Sequence, residues 1–196
     1  MDDTLANFTL LRECIHALPQ HNYETLFYGR SLSDLNCIYQ VPRLQNVSNF
    51  FEFEADFVAS LRCIPMQIRF KLDTCGVKLK LSHWHQFSQV ERQTLIEHPC
   101  TTEDELQSYR DLLQKLVIDH TGHPAGELPI DDLPAWLEAA TIPIEVQAKA
   151  EAMGVAIAPV QWATLTPLQR FALIKLSRPS HENKNFLPAL QEFRLA

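Results

Sequence analysis

Glycine is scarce in this chain of 196 residues, and its scarcity excludes several kinds of nucleotide site. The five glycines are Gly29, Gly76, Gly122, Gly126 and Gly154, too scattered to form a P-loop or a G-x-G-x-x-G fingerprint. The chain also lacks the G-x-S-x-G elbow, the H-E-x-x-H zinc motif and the D-x-D-x-D-G calcium loop. We therefore predict a protein without catalytic activity and without a cofactor of its own.

The cysteines form neither a disulfide framework nor a recognisable metal-binding spacing. They are odd in number and include no C-x-x-C pair: Cys14, Cys37, Cys63, Cys75 and Cys100. This usage is typical of free thiols in a reducing cytosol, so the predicted location is cytoplasmic. Asp2 and Asp3 stand where a secretory signal carries Lys or Arg, which argues against export.

Long apolar runs are also missing. Residues 152–169 carry no charge, but Gly154, Pro159 and Pro167 would interrupt a helix there. We therefore predict no membrane-spanning segment.

Charge is distributed in blocks. The 17 Lys and Arg against 24 Asp and Glu give a net charge of −7, which disfavours a binder of nucleic-acid phosphates. Residues 101–138 hold nine carboxylates and two cations, whereas residues 62–80 hold five cations against Asp73. Two interpretations stay open: the blocks are solvated helix faces, or they steer a protein partner.

An internal repeat appears when the sequence is compared with itself at an offset of 78 residues. Residues 64–96 align without a gap on residues 142–174 and share nine of 33 positions, where chance gives roughly two. We interpret this as a duplicated helical unit. The identical pairs are Ile64/Ile142, Pro65/Pro143, Lys71/Lys149, Gly76/Gly154, Val77/Val155, Trp84/Trp162, Arg92/Arg170, Leu95/Leu173 and Ile96/Ile174.

Each unit is predicted to contain helices in series. The paired prolines suit the first turn of a helix, and the paired glycines suit the left-handed residue just past its end. Ser82 is predicted to cap a short turn, and Ser88 and Thr166 to cap the helices that follow. We expect the paired tryptophans to be core anchors and the paired arginines to be internal hydrogen-bond donors.

The predicted fold is all-α, with two tandem helical repeat units packed as one compact domain. An N-terminal extension covers residues 1–48, the first unit residues 49–119, a Pro/Gly-rich linker residues 120–141 and the second unit residues 142–196. Within the first unit, the capping-box pattern at residues 102–105 predicts the start of a long amphipathic helix.

Several residues of the first unit could carry chemistry. His83, His85, His98 and Cys100 are competent ligands for zinc or iron, but their spacing matches no standard site, so we predict no metal there. Cys63 follows an arginine and precedes a predicted helix, an arrangement that lowers a thiol pKa. The alternative for Cys63 is a buried, inert thiol.

The densest polar segment runs from Arg178 to Phe186 and follows a nearly all-apolar helix. Its donors and acceptors could fold back as helix caps, or they could form a recognition surface with Phe186 as its anchor. His181 beside Glu182 is a possible acid/base pair, although no nucleophile stands next to it.

The longest motifs of the chain are Phe51–Glu54, Ser60–Met66, Arg69–Asp73 and Leu165–Pro179, followed by residues 181–190. Together they resemble the cyanobacterial-type nitrate reductase associated protein family, over about residues 50–196. The resemblance implies a protein that accompanies assimilatory nitrate reductase, a cytosolic molybdenum and iron–sulfur enzyme, and that is needed for its activity.

The two lines together predict a non-catalytic accessory protein that binds nitrate reductase, and neither nucleic acid nor membrane. The expected role is that of a maturation factor or chaperone for the apo-reductase. A permanent small subunit and a metal or cofactor carrier are the alternatives. The predicted contact residues are Arg62, Cys63, Arg69, Lys71, Lys80, Arg178, His181, Glu182, Asn183, Asn185 and Phe186.

Overall fold

The computed structural model describes residues 50–178 and 184–196, and most of these residues are helical. The predicted N-terminal extension therefore lies outside the described residues. The all-α prediction is confirmed, apart from one two-stranded sheet. The elements are a 3₁₀ turn at Glu52–Glu54, α1 Ala55–Val58, α2 Met66–Thr74, β1 Val77–Lys78, α3 Leu81–Gln86, α4 Gln89–Glu97, α5 Glu103–Thr121, β2 Gly126–Glu127, α6 Ile144–Ala152, α7 Pro159–Thr164, α8 Pro167–Ser177 and α9 Phe186–Glu192.

The helix starts follow the offset found in the sequence. Helices α2 and α6 begin at residues 66 and 144, α3 and α7 at residues 81 and 159, and α4 and α8 at residues 89 and 167. Each pair is thus separated by 78 residues. These positions fit the interpretation of the sequence repeat as a duplicated unit.

Most of the predicted helix caps are present. Ser88 and Thr166 accept hydrogen bonds from the backbone of Glu91 and Gln169, and Thr102 does the same for Glu105. Other helix starts differ by one or two residues from the prediction. The cap of α3 is the extended residue that precedes Leu81 rather than Ser82, and the paired prolines are caps rather than first-turn residues.

Two hydrophobic clusters form the core, one around Trp84 and one around Trp162. Both tryptophans are fully buried, which confirms their prediction as core anchors. The indole nitrogen of Trp84 donates to the carbonyl of Leu61 at 2.7 Å, and that of Trp162 to the carbonyl of Glu138 at 3.1 Å. The two rings thus fix the chain segments that precede α2 and α6.

The paired arginines are internal donors, as predicted. Arg92 donates to the carbonyls of Trp84 and Leu61, and Arg170 donates to those of Trp136 and Leu165. Their guanidinium groups therefore bind backbone carbonyls of their own and of preceding segments.

The segment after α5 is tied to the end of α2. Strand β1 pairs antiparallel with β2, with Val77 opposite Glu127, and the Leu128 amide donates to the Gly76 carbonyl at 2.9 Å. Further along, Trp136 packs edge-on against Phe171. None of the helices within residues 50–178 and 184–196 combines the length and apolarity that a membrane crossing requires.

Candidate functional site

Four of the predicted contact residues line one cavity of about 180 Å³. They are Arg62, Cys63, Arg69 and Asn185. The cavity lies between α1, the first turns of α2, the end of α8 and the residues that precede α9, and we call it the α2 cavity. Its other lining residues are Phe53, Glu54, Asp56, Phe57, Ile64, Met66, Leu176 and Lys184.

A strained backbone at Leu61 directs the following residues toward this cavity. Leu61 is buried, and its φ of 48° is unusual for a residue with a side chain. Its carbonyl accepts hydrogen bonds from both Trp84 and Arg92. These contacts hold the conformation and place Arg62 and Cys63 at the wall of the cavity.

The lining of the α2 cavity includes a buried carboxylate. Glu54 accepts hydrogen bonds from the amides of Met66, at 2.8 Å, and Phe51, at 3.3 Å. Burial raises the pKa of Glu54, although these two hydrogen bonds oppose that shift. A second carboxylate, Glu192, accepts from the amide of Phe53. The two groups fasten the start of the described chain to α2 and α9.

Positive charge dominates the outer part of the α2 cavity. Arg62 and Lys184 are exposed, and Arg69 is half-buried with its Nε donating to the Ile64 carbonyl at 2.9 Å. The exposed carboxylate in the lining is Asp56. Since the lining also holds Phe57, Ile64 and Leu176, the cavity suits an apolar side chain that lies beside an acidic group.

A comparison with protein families identifies the family of this chain. Residues 50–193 match the model of the conserved nitrate reductase-associated protein family. The chain belongs to this family. The resemblance stated from the sequence motifs is thereby confirmed, and the match includes every residue that lines the α2 cavity. Neither the curated proteins nor the solved structures provide a significant match.

Lys71 has an internal role in this member of the nitrate reductase-associated family. Its side chain is buried, and its Nζ donates to the carbonyls of Leu95, Ile96 and His98 at 3.1, 2.8 and 2.6 Å. Burial lowers the pKa of Lys71. Since all three bonds are made to the end of α4, the expectation that Lys71 contacts a partner is corrected.

The prediction that Phe186 anchors a recognition surface is also wrong. It is fully buried in the cluster around Trp162, and the Lys149 ammonium lies 5.6 Å from its ring centre. The reason is that Phe186 is the first residue of α9 and faces the core. Asn185, which precedes it, remains in the lining of the α2 cavity.

The remaining predicted contacts lie elsewhere or outside the described residues. Lys80 is exposed before α3, and Arg178 is exposed at the end of α8, where it lines a different cavity. His181, Glu182 and Asn183 fall in the undescribed range 179–183. Cys63 is half-buried in the cavity wall, and both interpretations of its thiol, reactive and inert, stay open.

The candidate metal ligands make other contacts. His85 Nε2 lies 2.8 Å from the Arg62 carbonyl, and His98 Nε2 lies 3.3 Å from Ser108 Oγ. Burial raises the pKa of the Cys100 thiol to about 11. In the part of the chain that the structure describes, no three His, Cys, Asp or Glu side chains are placed to hold a metal ion.

Sequence reasoning missed the other eight lining residues of the α2 cavity, and four of them show what signal was available. Phe53 and Glu54 lie in a motif that carried the family resemblance, and that motif was the available signal. Lys184 lies in the polar segment after α8. Phe57 had no signal, because a single aromatic residue in a short helix does not reveal which cavity it lines.

Proposed function

We propose that this protein is a non-catalytic, cytoplasmic accessory protein that binds assimilatory nitrate reductase before its cofactors are inserted. The observation that carries the proposal is the family match over residues 50–193. In this role the reductase holds the cofactors, and the accessory protein covers a segment of the apo-enzyme until they are in place.

The size of the α2 cavity favours a protein client over a cofactor as its occupant. Sites for small molecules and cofactors enclose roughly 300 to 1,000 Å³. The α2 cavity encloses about 180 Å³, which fits a single large side chain. Such a cavity is typical of an anchor site at a protein interface.

Charge supports the same assignment. Arg62 and Lys184 are exposed at the cavity, so they can attract an acidic client segment from solution. The apolar side chain of that segment then enters the cavity beside Phe57. Lys78 and Lys80 are also exposed within residues 62–80, and we assign these two cations to client binding as well, away from the α2 cavity.

The proposal is tested by capture of nitrate reductase with and without its cofactors. We expect the purified protein to recover more apo-reductase than holo-reductase at equal concentrations. Arg62→Glu should weaken capture at low salt, whereas Lys115→Glu, which changes an exposed cation on α5, should not. Unchanged capture by Arg62→Glu would remove the α2 cavity from the interface.

The same experiments separate the alternative roles. Equal recovery of apo- and holo-reductase would favour a permanent small subunit. Stoichiometric iron, zinc or molybdenum in the purified protein would favour a metal or cofactor carrier.

A further inference from the structure

A second cavity, larger than the first, is not used by the proposed function. It lies between α2, α8 and residues 128–137, and it encloses about 690 Å³. Phe70 and Trp136 line it with half-buried rings, and Leu106 of α5 lines it as well. We call this cavity the linker groove. Its volume is within the range of sites that bind ligands or peptide segments.

The walls of the linker groove are fixed by contacts to the core. The ring of Trp136 packs edge-on against Phe171 at 5.2 Å, and its carbonyl accepts from Arg170 at 2.8 Å. At the other end, the Leu128 amide is bonded to the Gly76 carbonyl. The groove is thus preformed, and a partner would not have to order it on binding.

Large aliphatic side chains are exposed along this segment. Ile130 is 61% exposed, Leu133 84% and Leu137 53%, all within eight residues of sequence. Ile130 and Leu137 belong to the groove lining, and Leu133 lies between them in sequence. Clustered apolar exposure of this kind marks an interaction surface, whereas single exposed aliphatics do not.

The charge around the linker groove is acidic. Asp131 and Asp132 line it and are exposed. Asp73 and Lys175 also line it, but they form an ion pair at 2.5 Å and cancel each other. The remaining cation in the lining is Arg178.

The segment belongs to the acidic block of residues 101–138, whose few cations are already paired with carboxylates. Residues 101–138 hold nine carboxylates against Arg110 and Lys115. Arg110 is paired with Glu127 and Lys115 with Asp119, each at 2.5 Å. Hence the two cations of the block are already engaged, and the surface next to the groove presents net negative charge.

We propose that the linker groove binds a basic amphipathic helix of a partner protein. Apolar residues on one face of that helix would contact Trp136 and Leu137, and its Lys or Arg residues would lie beside Asp131 and Asp132. This chemistry is the opposite of that expected at the α2 cavity, which suits an acidic segment. The inference therefore stands independently of the proposed function.

A designed peptide tests this directly. The probe is a 14-residue peptide of Leu and Lys, with Leu at helical positions i, i+3, i+4 and i+7, and a Leu/Glu peptide of the same pattern is its control. Binding to the full-length protein is measured by calorimetry and by tryptophan emission, since Trp136 is half-buried in the groove while Trp84 and Trp162 are fully buried. We expect the Leu/Lys peptide to bind about tenfold or more tighter than the Leu/Glu peptide.

Matched variants assign the binding to the groove. Leu133→Ser with Leu137→Ser should weaken the Leu/Lys peptide about tenfold by loss of apolar contact. The control is Val90→Ser with Val160→Ser, which alters two exposed aliphatics on α4 and α7 and leaves the net charge the same. Asp131→Lys with Asp132→Lys should reverse the preference toward the Leu/Glu peptide.

Three results would overturn the proposal. Equal affinity of the wild type for the two peptides would show that charge does not select the partner. Equal affinity of the Leu/Lys peptide for the Leu133/Leu137 and Val90/Val160 double variants would place binding outside the groove. Concentration-dependent dimerisation of the wild-type chain, lost in the Leu133 and Leu137 double variant, would assign the groove to a second copy of the chain instead.

Discussion

Gly76 occupies a position that no other residue could fill without displacing its surroundings. Its φ is 69°, and a Cβ there would lie 2.7 Å from Cγ1 of Ile130 and 3.1 Å from the Leu128 carbonyl. Gly154, its equivalent at the 78-residue offset, has a φ of 76° but no atom within 4 Å of such a Cβ. The two glycines therefore share the conformational requirement, and Gly76 adds a steric one.

This difference predicts unequal effects of the same substitution. Gly154→Ala should lower the free energy of unfolding by about 1 kcal/mol, because a residue with a Cβ pays at least about this much to adopt the left-handed conformation. Gly76→Ala should cost about 1 to 3 kcal/mol more, because Ile130 and the Leu128 backbone must shift. Urea unfolding of the two variants measures the difference. Equal losses of unfolding free energy in the two variants would mean that Ile130 and the Leu128 backbone shift without an energetic cost.

Glu91 should make stability sensitive to acid. The hydrogen bond from His120 is the main cause that holds the pKa of Glu91 at about 2, below the ordinary 4.5. Because the folded-state pKa is depressed, this stabilisation is present above pH 4.5 and is lost as the pH falls toward 2.

The corresponding variant is Glu91→Gln. Glutamine keeps the capping box with Ser88 but removes the charge, so the free energy of unfolding should fall less between pH 4.5 and pH 2 than in the wild type. Urea midpoints across this range, with Glu103→Gln as a control, provide the measurement. Parallel curves for wild type and Glu91→Gln would show that the Glu91–His120 pair does not contribute.

At the scale of elements, local sequence signals predicted the helix starts well where a side chain caps its own helix. Ser88, Thr102 and Thr166 are such cases, since their hydroxyls bond within three residues. The prediction that Ser82 caps α3 is wrong. The cap is the extended residue just before Leu81, and Ser82 lies in the first turn of the helix. Lys71 was misplaced for another reason: its three acceptors are 24 to 27 residues away, and no local pattern shows them.

Lys71 should be a strong link between α2 and the end of α4. Lys71→Met fills a similar space but removes the Nζ donor from three carbonyls, of which that of Ile96 also accepts from Gln67 at 3.3 Å. We therefore expect a loss of about 3 kcal/mol in the free energy of unfolding. Lys80→Met, at an exposed position, should change it by less than about 0.5 kcal/mol. Chemical denaturation of both variants decides the matter, and similar small losses would contradict the internal role of Lys71.

At the scale of the whole molecule, the sequence predicted the helical class, the core tryptophans and the family. It also predicted Arg62, Cys63 and Arg69 as site residues, and all three line the α2 cavity because they are close in sequence. It could not predict the linker groove, which forms only when residues 128–137 pack against α2 and α8. It also could not predict that Phe186 is buried, since a polar neighbourhood in sequence does not exclude a core position.

The proposed maturation role requires that the protein act on nitrate reductase before cofactor insertion. The decisive experiment reconstitutes apo-reductase in vitro and adds the accessory protein either before or after the cofactors. We expect a higher yield of active reductase on early addition, a reduced yield with Arg62→Glu, and no gain on late addition. An equal gain when the protein is added to fully assembled reductase would contradict a maturation role.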